Sequence, residues 1–292
     1  LYAVFIEPNM LIVKHQKLYL PYWRQEHNGL KIALLSDFHI GGCINLKKLA
    51  KIVNKTNKEN PDFIFLLGDI DSYLIRKHKI NTAELSEIFS EFKAKYGVIS
   101  ILGNHDYGSV NIKQILLQAG IPVLEESEII KDINSQPLII YGLKDFWHYK
   151  PNWKKIDESE FKGKSIILLS HNPDLFMQVP DYISLTLSGH THGGEICLPF
   201  FGGIFTPSKW EQRYNKGYIV ENNKHLFVTS GLGFFIPLRF GVPPEIVILE
   251  LYSQDSYPEN TIKNTKILTG ISHSLNAKAK ATCDFLENYF KL

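Results

Sequence analysis

Cysteine is scarce in this chain. Cys43, Cys197 and Cys283 are the 3 cysteines in 292 residues, odd in number, far apart and without a CxxC pair. That argues against a disulfide framework and for a reducing compartment. A continuous run of about eighteen apolar residues is also missing, so no stretch of this sequence spans a bilayer by itself. Nor does one sign of charge dominate: lysine plus arginine number 32 against 30 for aspartate plus glutamate. No global field therefore favours nucleic acid as a partner, and an anionic ligand must be attracted locally. No Pro/Gly/Ser-rich linker divides residues 30–252. What is present is ordinary for a globular protein, 44% apolar and 21% charged residues. The chain starts at Leu1 instead of methionine, and Leu-Tyr-Ala-Val-Phe-Ile reads as the trailing end of something longer, with a signal or membrane anchor expected ahead of it.

Along the chain, residues 1–29 alternate irregularly and contain Pro8 and Pro21, which suggests an edge strand or arm laid over the domain. Residues 30–35 form an apolar run broken only by Lys31, the pattern of a strand buried on both faces. It ends in Ser36-Asp37-Phe38-His39. Residues 45–58 keep Leu46, Leu49, Ile52 and Val53 on one side and predict a helix. A second buried strand at 63–67 ends in Gly68-Asp69. A helix over 82–96 leads to a third strand at 98–102, which ends in Gly103-Asn104-His105-Asp106. Small strands are expected between 115 and 141, clearest at 121–124 and 138–141. Another buried strand at 166–169 ends in Ser170-His171-Asn172-Pro173, with Asn172 as cap and Pro173 as helix start.

Residues 185–187 then run into Gly189-His190-Thr191-His192-Gly193-Gly194. Histidines two apart on a strand share a face, and the glycines let the backbone turn tightly beside them. Further strands at 196–198, 217–220, 226–228 and 245–251 read as a second sheet. The expected domain is thus 30–252, two stacked sheets with helices outside and the polar loops on one rim. Residues 253–292 form a polar loop followed by an amphipathic helix, with Leu275, Ala279, Cys283, Leu286 and Phe290 at helical spacing.

Any one polar group after a strand reads as a turn or helix cap, and two histidines alone read equally as a surface pair or satisfied core groups. Repetition changes this. Five loops supply Asp37, His39, Asp69, Asn104, His105, Asp106, His171, His190 and His192, at the strand edge where open α/β sheets bind ligands. Carboxylate and carbonyl oxygens suit hard ions and imidazoles suit softer ones, so the mixture implies a transition metal, Mn²⁺ included. With no thiolate among them, a structural zinc site fits poorly.

Asp37-x-His39, Gly68-Asp69, Gly103-Asn104-His105-Asp106, His171 and Gly189-His190-x-His192 resemble the ordered signature of the calcineurin-like metallophosphoesterase superfamily. The resemblance implies a four-layered α/β/β/α sandwich and a hydrolase with two divalent cations, Mn²⁺ first and Zn²⁺, Fe²⁺ or Mg²⁺ as alternatives. It implies that Asp37, His39 and His192 bind one cation, that Asn104, His171 and His190 bind the other, and that Asp69 bridges both. His105 would face the phosphate and Asp106 would orient it and favour its protonated form. Many relatives carry a second acid three residues after the bridging aspartate, where this chain has Ser72, with Asp71 one step earlier.

The stretches Gly193-Gly194-Glu195-Ile196-Cys197-Leu198-Pro199, Gly231-Leu232-Gly233, Pro237-Leu238-Arg239-Phe240 and Pro243-Pro244-Glu245 resemble the bacterial membrane-associated phosphodiesterase branch. That branch includes the pyrophosphatase that cleaves UDP-2,3-diacylglucosamine in lipid A synthesis. It implies a phosphate-containing, lipid-linked nucleotide as substrate, peripheral membrane contact and a place on the cytoplasmic face of the bacterial inner membrane. Independently, Phe200, Phe201, Phe205, Trp210, Phe234, Phe235, Ile236 and Phe240 form either a buried cap or a lipid-facing surface. Arg239 offers a fork to phosphate or covers apolar surface. The alternatives are a broad phosphodiesterase acting on another phospholipid or nucleotide, and a non-catalytic scaffold of the same fold.

Overall fold

The computed structural model describes residues 1–72, 81–108, 110–156, 158–198, 202–204, 206–234 and 238–257. By compactness the chain divides into Leu1–Ser256 and Tyr257–Leu292, and every described helix and strand lies in the first unit. The C-terminal helix expected from Leu275 to Phe290 lies outside the described residues, as do Phe200, Phe201, Phe205, Phe235 and Ile236 of the aromatic set.

In chain order the first half holds β1 (Ile12–Leu20), β2 (Leu30–Leu35), α1 (Leu46–Asn57), β3 (Phe63–Leu66), α2 (Thr82–Ser90), β4 (Val98–Ser100) and α3 (Ile112–Gln118). After these come β5 (Ser127–Ile133), β6 (Gln136–Gly142), α4 (Glu158–Phe161), β7 (Ser165–Leu169) and β8 (Leu185–Ser188). The last strands are β9 (Cys197–Leu198), β10 (Gly202–Gly203), β11 (Gly217–Glu221), β12 (Lys224–Val228) and β13 (Glu245–Ser253). One sheet runs β1-β13-β2-β3-β4 and the other β11-β12-β8-β7-β6-β5, with β9 and β10 as a small separate ribbon.

The two-residue period of each strand divides its side chains between layers. From β2 and β3, Leu30, Ile32, Leu34, Phe63 and Phe65 join Ile167, Leu169, Leu185 and Leu187 of the other sheet in a buried layer between the sheets. Ala33, Leu35, Ile64 and Leu66, on the opposite faces, pack under Leu49, Ile52 and Val53 of α1, Leu85 and Phe89 of α2, and Ile115 and Leu116 of α3. Ile166 and Leu168 face outward from the second sheet onto Phe161, Leu175 and Phe176. The result is the expected sandwich of stacked mixed sheets with helices outside. Asn45, Asn81 and Asn111 each cap a helix by accepting a backbone N–H three residues on.

Several expectations change. The strand at 245–251 belongs to the first sheet, where β13 pairs antiparallel with β2 and parallel with β1. Of the two readings of residues 1–29, edge strand or arm, residues 12–20 take the first and form the sheet's edge strand β1. The second helix stops at Ser90 because the Lys95 and Tyr96 amides bond the Pro61 and Asp62 carbonyls, drawing the chain back toward β3. Residues 112–118 form α3, since Asn111 caps a turn whose Ile112, Ile115 and Leu116 share one buried face. Residues 121–124 touch β4 through one bridge, Ser100 to Val123, without forming a strand.

β2, β3 and β4 are mutually parallel, as are β6, β7 and β8. Their carboxyl ends therefore open toward one rim, which positions the site.

Candidate metal centre

Three of the five polar loops leave their strands through backbone that most side chains avoid. Asp37, His39, Asp69, His190 and His192 all have φ between +47° and +72°. Left-handed backbone at a non-glycine residue costs free energy and persists where the surroundings over-determine it, typically at functional sites. Here the surroundings are neighbouring loops: the Asp37 and His39 amides donate to the Gly68 and Asp69 carbonyls, both at 3.0 Å, and the His190 amide donates to the Asp37 carboxylate at 3.1 Å. Gly103 is required because a methyl group there would occupy the place of the Asp69 carboxylate and amide.

The loops gather two triads, Asp37 with His39 and His192, and Asp69 with His171 and His190. Within each, one ligand atom per residue lies within 4.8 Å of the others, and all six residues are buried. The triads meet at Asp69, whose Oδ2 is 3.1 Å from His171 Nε2 and 4.0 Å from His39 Nε2. Across the first triad His39 Nε2 and His192 Nε2 are 3.1 Å apart, and across the second His190 Nδ1 and His171 Nε2 are 3.2 Å apart. His171 presents Nε2 because its Nδ1–H donates to the Leu67 carbonyl at 2.6 Å, an outer contact that fixes tautomer and ring orientation.

Burial lowers His39 to about 4 and His190 to about 3, and holds His192 well below the usual imidazole range. These rings are therefore neutral near pH 7, the form that ligates a cation. Burial works against charge at Asp69 too, but His171, His105 and His39 together hold its carboxyl well below the usual range. His171 rises to about 10 because Asp69 outweighs its desolvation. Burial pushes Asp37 up to about 6, with the Asp69 charge adding to the rise and His171 opposing it.

The donor set fits two cations. Asn104 Oδ1 is a buried carbonyl oxygen with no hydrogen-bond partner among the described residues, a costly state that a cation would relieve. Imidazoles, two carboxylates and this amide oxygen are ligands for a borderline divalent ion.

The sequence profile described as calcineurin-like phosphoesterase matches residues 30–194. The chain belongs to that family. It is similar to the metallophosphoesterase YkuE of Bacillus subtilis, 30% identical over 86% of this chain and 89% of that one. Phosphodiesterase YaeI of Escherichia coli is 27% identical over 86% of this chain and 92% of its own. UDP-2,3-diacylglucosamine pyrophosphatase LpxG of Chlamydia trachomatis is 25% identical over 85% and 91%. This chain is a phosphoesterase, a hydrolase of the metal-dependent phosphodiesterase type.

His105 of this phosphoesterase is only partly buried, its side chain 14% exposed with Nε2 4.0 Å from Asp69 Oδ2. Asp106 is held by backbone amides on both sides of the site. Its Oδ1 accepts from the Ile70 and Asp71 amides at 2.8 and 3.0 Å, and its Oδ2 from the Gly103 amide at 2.9 Å. It ties the Asn104–His105 turn to the Asp69 loop through the backbone and positions His105 indirectly. Arg239 offers no fork to phosphate: it is wholly buried, and its guanidinium donates to the Gly233, Val242 and Ser230 carbonyls. Ser72, in place of the second acid, donates to the Ile40 carbonyl at 2.9 Å.

Sequence reasoning missed a neighbouring loop. Trp147 sets its ring edge-on to His190, centroids 4.8 Å apart, and His148 lies 4.7 Å from the ring of Tyr107. Buried Asp145 holds this loop by accepting from the Trp147 and His148 amides and from His148 Nδ1, the last at 2.7 Å. An aspartate followed by Phe146, Trp147, His148 and Tyr149 just after the strand expected at 138–141 was the available signal.

Proposed function

We propose that this phosphoesterase cleaves a phosphodiester or diphosphate bond in a lipid-linked nucleotide, with UDP-2,3-diacylglucosamine as the specific candidate and UMP as a product. The observation that carries the chemistry is Asp69 Oδ2, within 4.0 Å of both His171 and His39. Asp37, His39 and His192 hold one cation, Asn104, His171 and His190 the other, and Asp69 is shared. When bound, two such ions supply a nucleophile at neutral pH and draw charge from the non-bridging phosphate oxygens. Mn²⁺ is the first candidate, since the ligands mix hard oxygens with imidazoles.

The chain's own part is to place and neutralise. Buried walls keep the carboxylates dry, where their interactions are strongest. His105 reaches the phosphate and donates a proton to the leaving oxygen or stabilises equatorial charge. Asp106 keeps His105 and Asn104 in register.

The lipid half of the proposal draws on the likeness to LpxG and on apolar side chains in solvent. Val4, Phe5, Ile6 and Met10 are all exposed, and the ring of Tyr2 stands nearly perpendicular to that of exposed Phe240, centroids 6.4 Å apart. No helix among the described residues is long and apolar enough to cross a membrane. This surface suits peripheral contact, and we place the enzyme on the cytoplasmic face of the inner membrane.

Incubating the purified chain with Mn²⁺ and UDP-2,3-diacylglucosamine tests the proposal by chromatographic detection of UMP. Release is expected. Cleavage of a generic phosphodiester without UMP release would remove this substrate and leave the phosphodiesterase intact.

A further inference from the structure

Beside the metal centre lies a cavity of about 560 Å³ lined by Phe146, Trp147, Trp153, Lys150, Gln178 and Lys209, among others. Its size falls within the roughly 300–1,000 Å³ of small-molecule sites. Three loops on the metal-bearing rim build it: 144–153 after β6, 173–178 after β7, and 207–210. Trp147 is the shared wall, since the ring that lines this cavity also lies nearly perpendicular to the His190 ring, centroids 4.8 Å apart.

The walls are held in place before any ligand arrives. Trp147 is 55% exposed, yet its amide is fixed by the buried Asp145 carboxylate at 3.1 Å. Asp174, three residues after His171, accepts from the Lys209 amide at 2.9 Å and through its carbonyl from Trp210 Nε1 at 3.2 Å. That anchoring leaves the Lys209 ammonium 5.6 Å from the centre of the Phe146 ring. An exposed indole on a pinned backbone presents apolar area at small entropic cost, as recognition surfaces do.

Aromatic faces with two ammonium groups, and no carboxylate among the described lining residues, match a ligand that is flat at one end and anionic at the other. An acyl chain would use the rings and leave the lysines without purpose. We infer that this cavity binds the nucleoside phosphate portion of the substrate, its base stacked among Trp147 and Trp153 and its phosphate drawn by Lys150 and Lys209 toward the metal centre. Stacking on aromatic side chains tolerates any base, so the site distinguishes nucleotides from other phosphates more than one base from another. The inference deepens the phosphodiesterase reading and rests on it for the chemistry.

Calorimetric titration of the Mn²⁺-loaded protein with UMP, ribose 5-phosphate and dodecyl phosphate tests it, since the second ligand lacks the base and the third replaces it with a chain. UMP is expected to bind about tenfold tighter than ribose 5-phosphate, the scale of losing one base–aromatic stack. Trp153→Ala should reduce that preference to about twofold, while Lys209→Ala, at an exposed position, should weaken both sugar phosphates and keep the preference. Equal binding of UMP and ribose 5-phosphate to the unaltered protein would overturn the inference. So would a preference unchanged in folded Trp153→Ala together with no loss in Lys209→Ala, or tighter binding of dodecyl phosphate than of UMP. A protein that shows the UMP preference but cleaves no phosphoester would fail the functional reading and keep the cavity. One that cleaves esters without the preference would do the reverse.

Discussion

The two edges of the sheets carry opposite kinds of cavity. At the amino edge a space of about 700 Å³ lies among Asn57, Pro61, Asp62, Phe89, Lys93 and Gly97, larger than the one beside the metal centre. Two of its polar side chains are tied to backbone: Asn57 donates to the Glu91 carbonyl and accepts from the Lys93 amide, both at 2.8 Å, and Asp62 accepts from the Lys31 amide at 2.9 Å. At the carboxyl edge Asn104 Oδ1 lacks a partner among the described residues, and aspartates and histidines occupy left-handed backbone. Size therefore does not mark the working end. The gathering of ligand side chains does: Asn60 at the amino edge is left-handed as well, but among the described residues the triads of acids and imidazoles stand only at the carboxyl edge.

The sharpest way to break this contrast is one substitution at each edge. Asp69→Asn keeps the shape of the side chain and one carbonyl oxygen but removes the charge shared by the two triads. A fall in kcat of roughly 10³-fold or more is expected, the upper scale for losing one preorganised electrostatic contact. Mn²⁺ should raise the Tm of the unaltered protein, as any ligand that prefers the folded state does, and raise that of Asp69→Asn less. Asn57→Ala should leave kcat within about twofold, as expected for a change remote from the chemistry. Turnover and Mn²⁺-dependent melting check both, and an active Asp69→Asn with an undiminished shift would undo the two-cation assignment.

How much of this contrast could be read in advance depends on the range of the interaction. The run Leu30–Leu35 announces a strand buried on both faces because each side chain answers only to its own register. The residues after it, and after four other strands, announce themselves because cation ligands must be acids, amides or imidazoles. The place of β13 was not legible: insertion between β1 and β2 is a pairing between distant segments, and its alternation fits either sheet. α3 was hidden because apolar residues at 112, 115, 116 and 121 satisfy a helical and a broken-strand reading until Asn111 is seen capping the turn. The backbone contacts of Arg239 and Asp106 were not legible, for a common reason. Each is a charged side chain in a motif, and only the fold shows that backbone carbonyls or amides occupy it.

Glycines sharpen the comparison at smaller cost. A methyl group at Gly189 would fall on the Ser36 hydroxyl and close to Asp37 Oδ2, and Ser36 is wholly buried, so the strain passes directly into a predicted ligand. Gly189→Ala should lose about 1–3 kcal/mol of stability, the usual penalty of overpacking, and most of the Mn²⁺-dependent turnover. Adding Ser36→Ala removes the clashing hydroxyl and should recover part of both, a coupling expected only between residues in contact. Gly97 at the amino edge has φ of +110° and open space where a methyl would go. Gly97→Ala should therefore cost only the backbone conformation, roughly 1–2 kcal/mol, with kcat unchanged. Urea unfolding and turnover on the three variants decide the matter. If Gly97→Ala lost activity in proportion to Gly189→Ala, turnover would be following global stability, and the distinction between the two edges would fail.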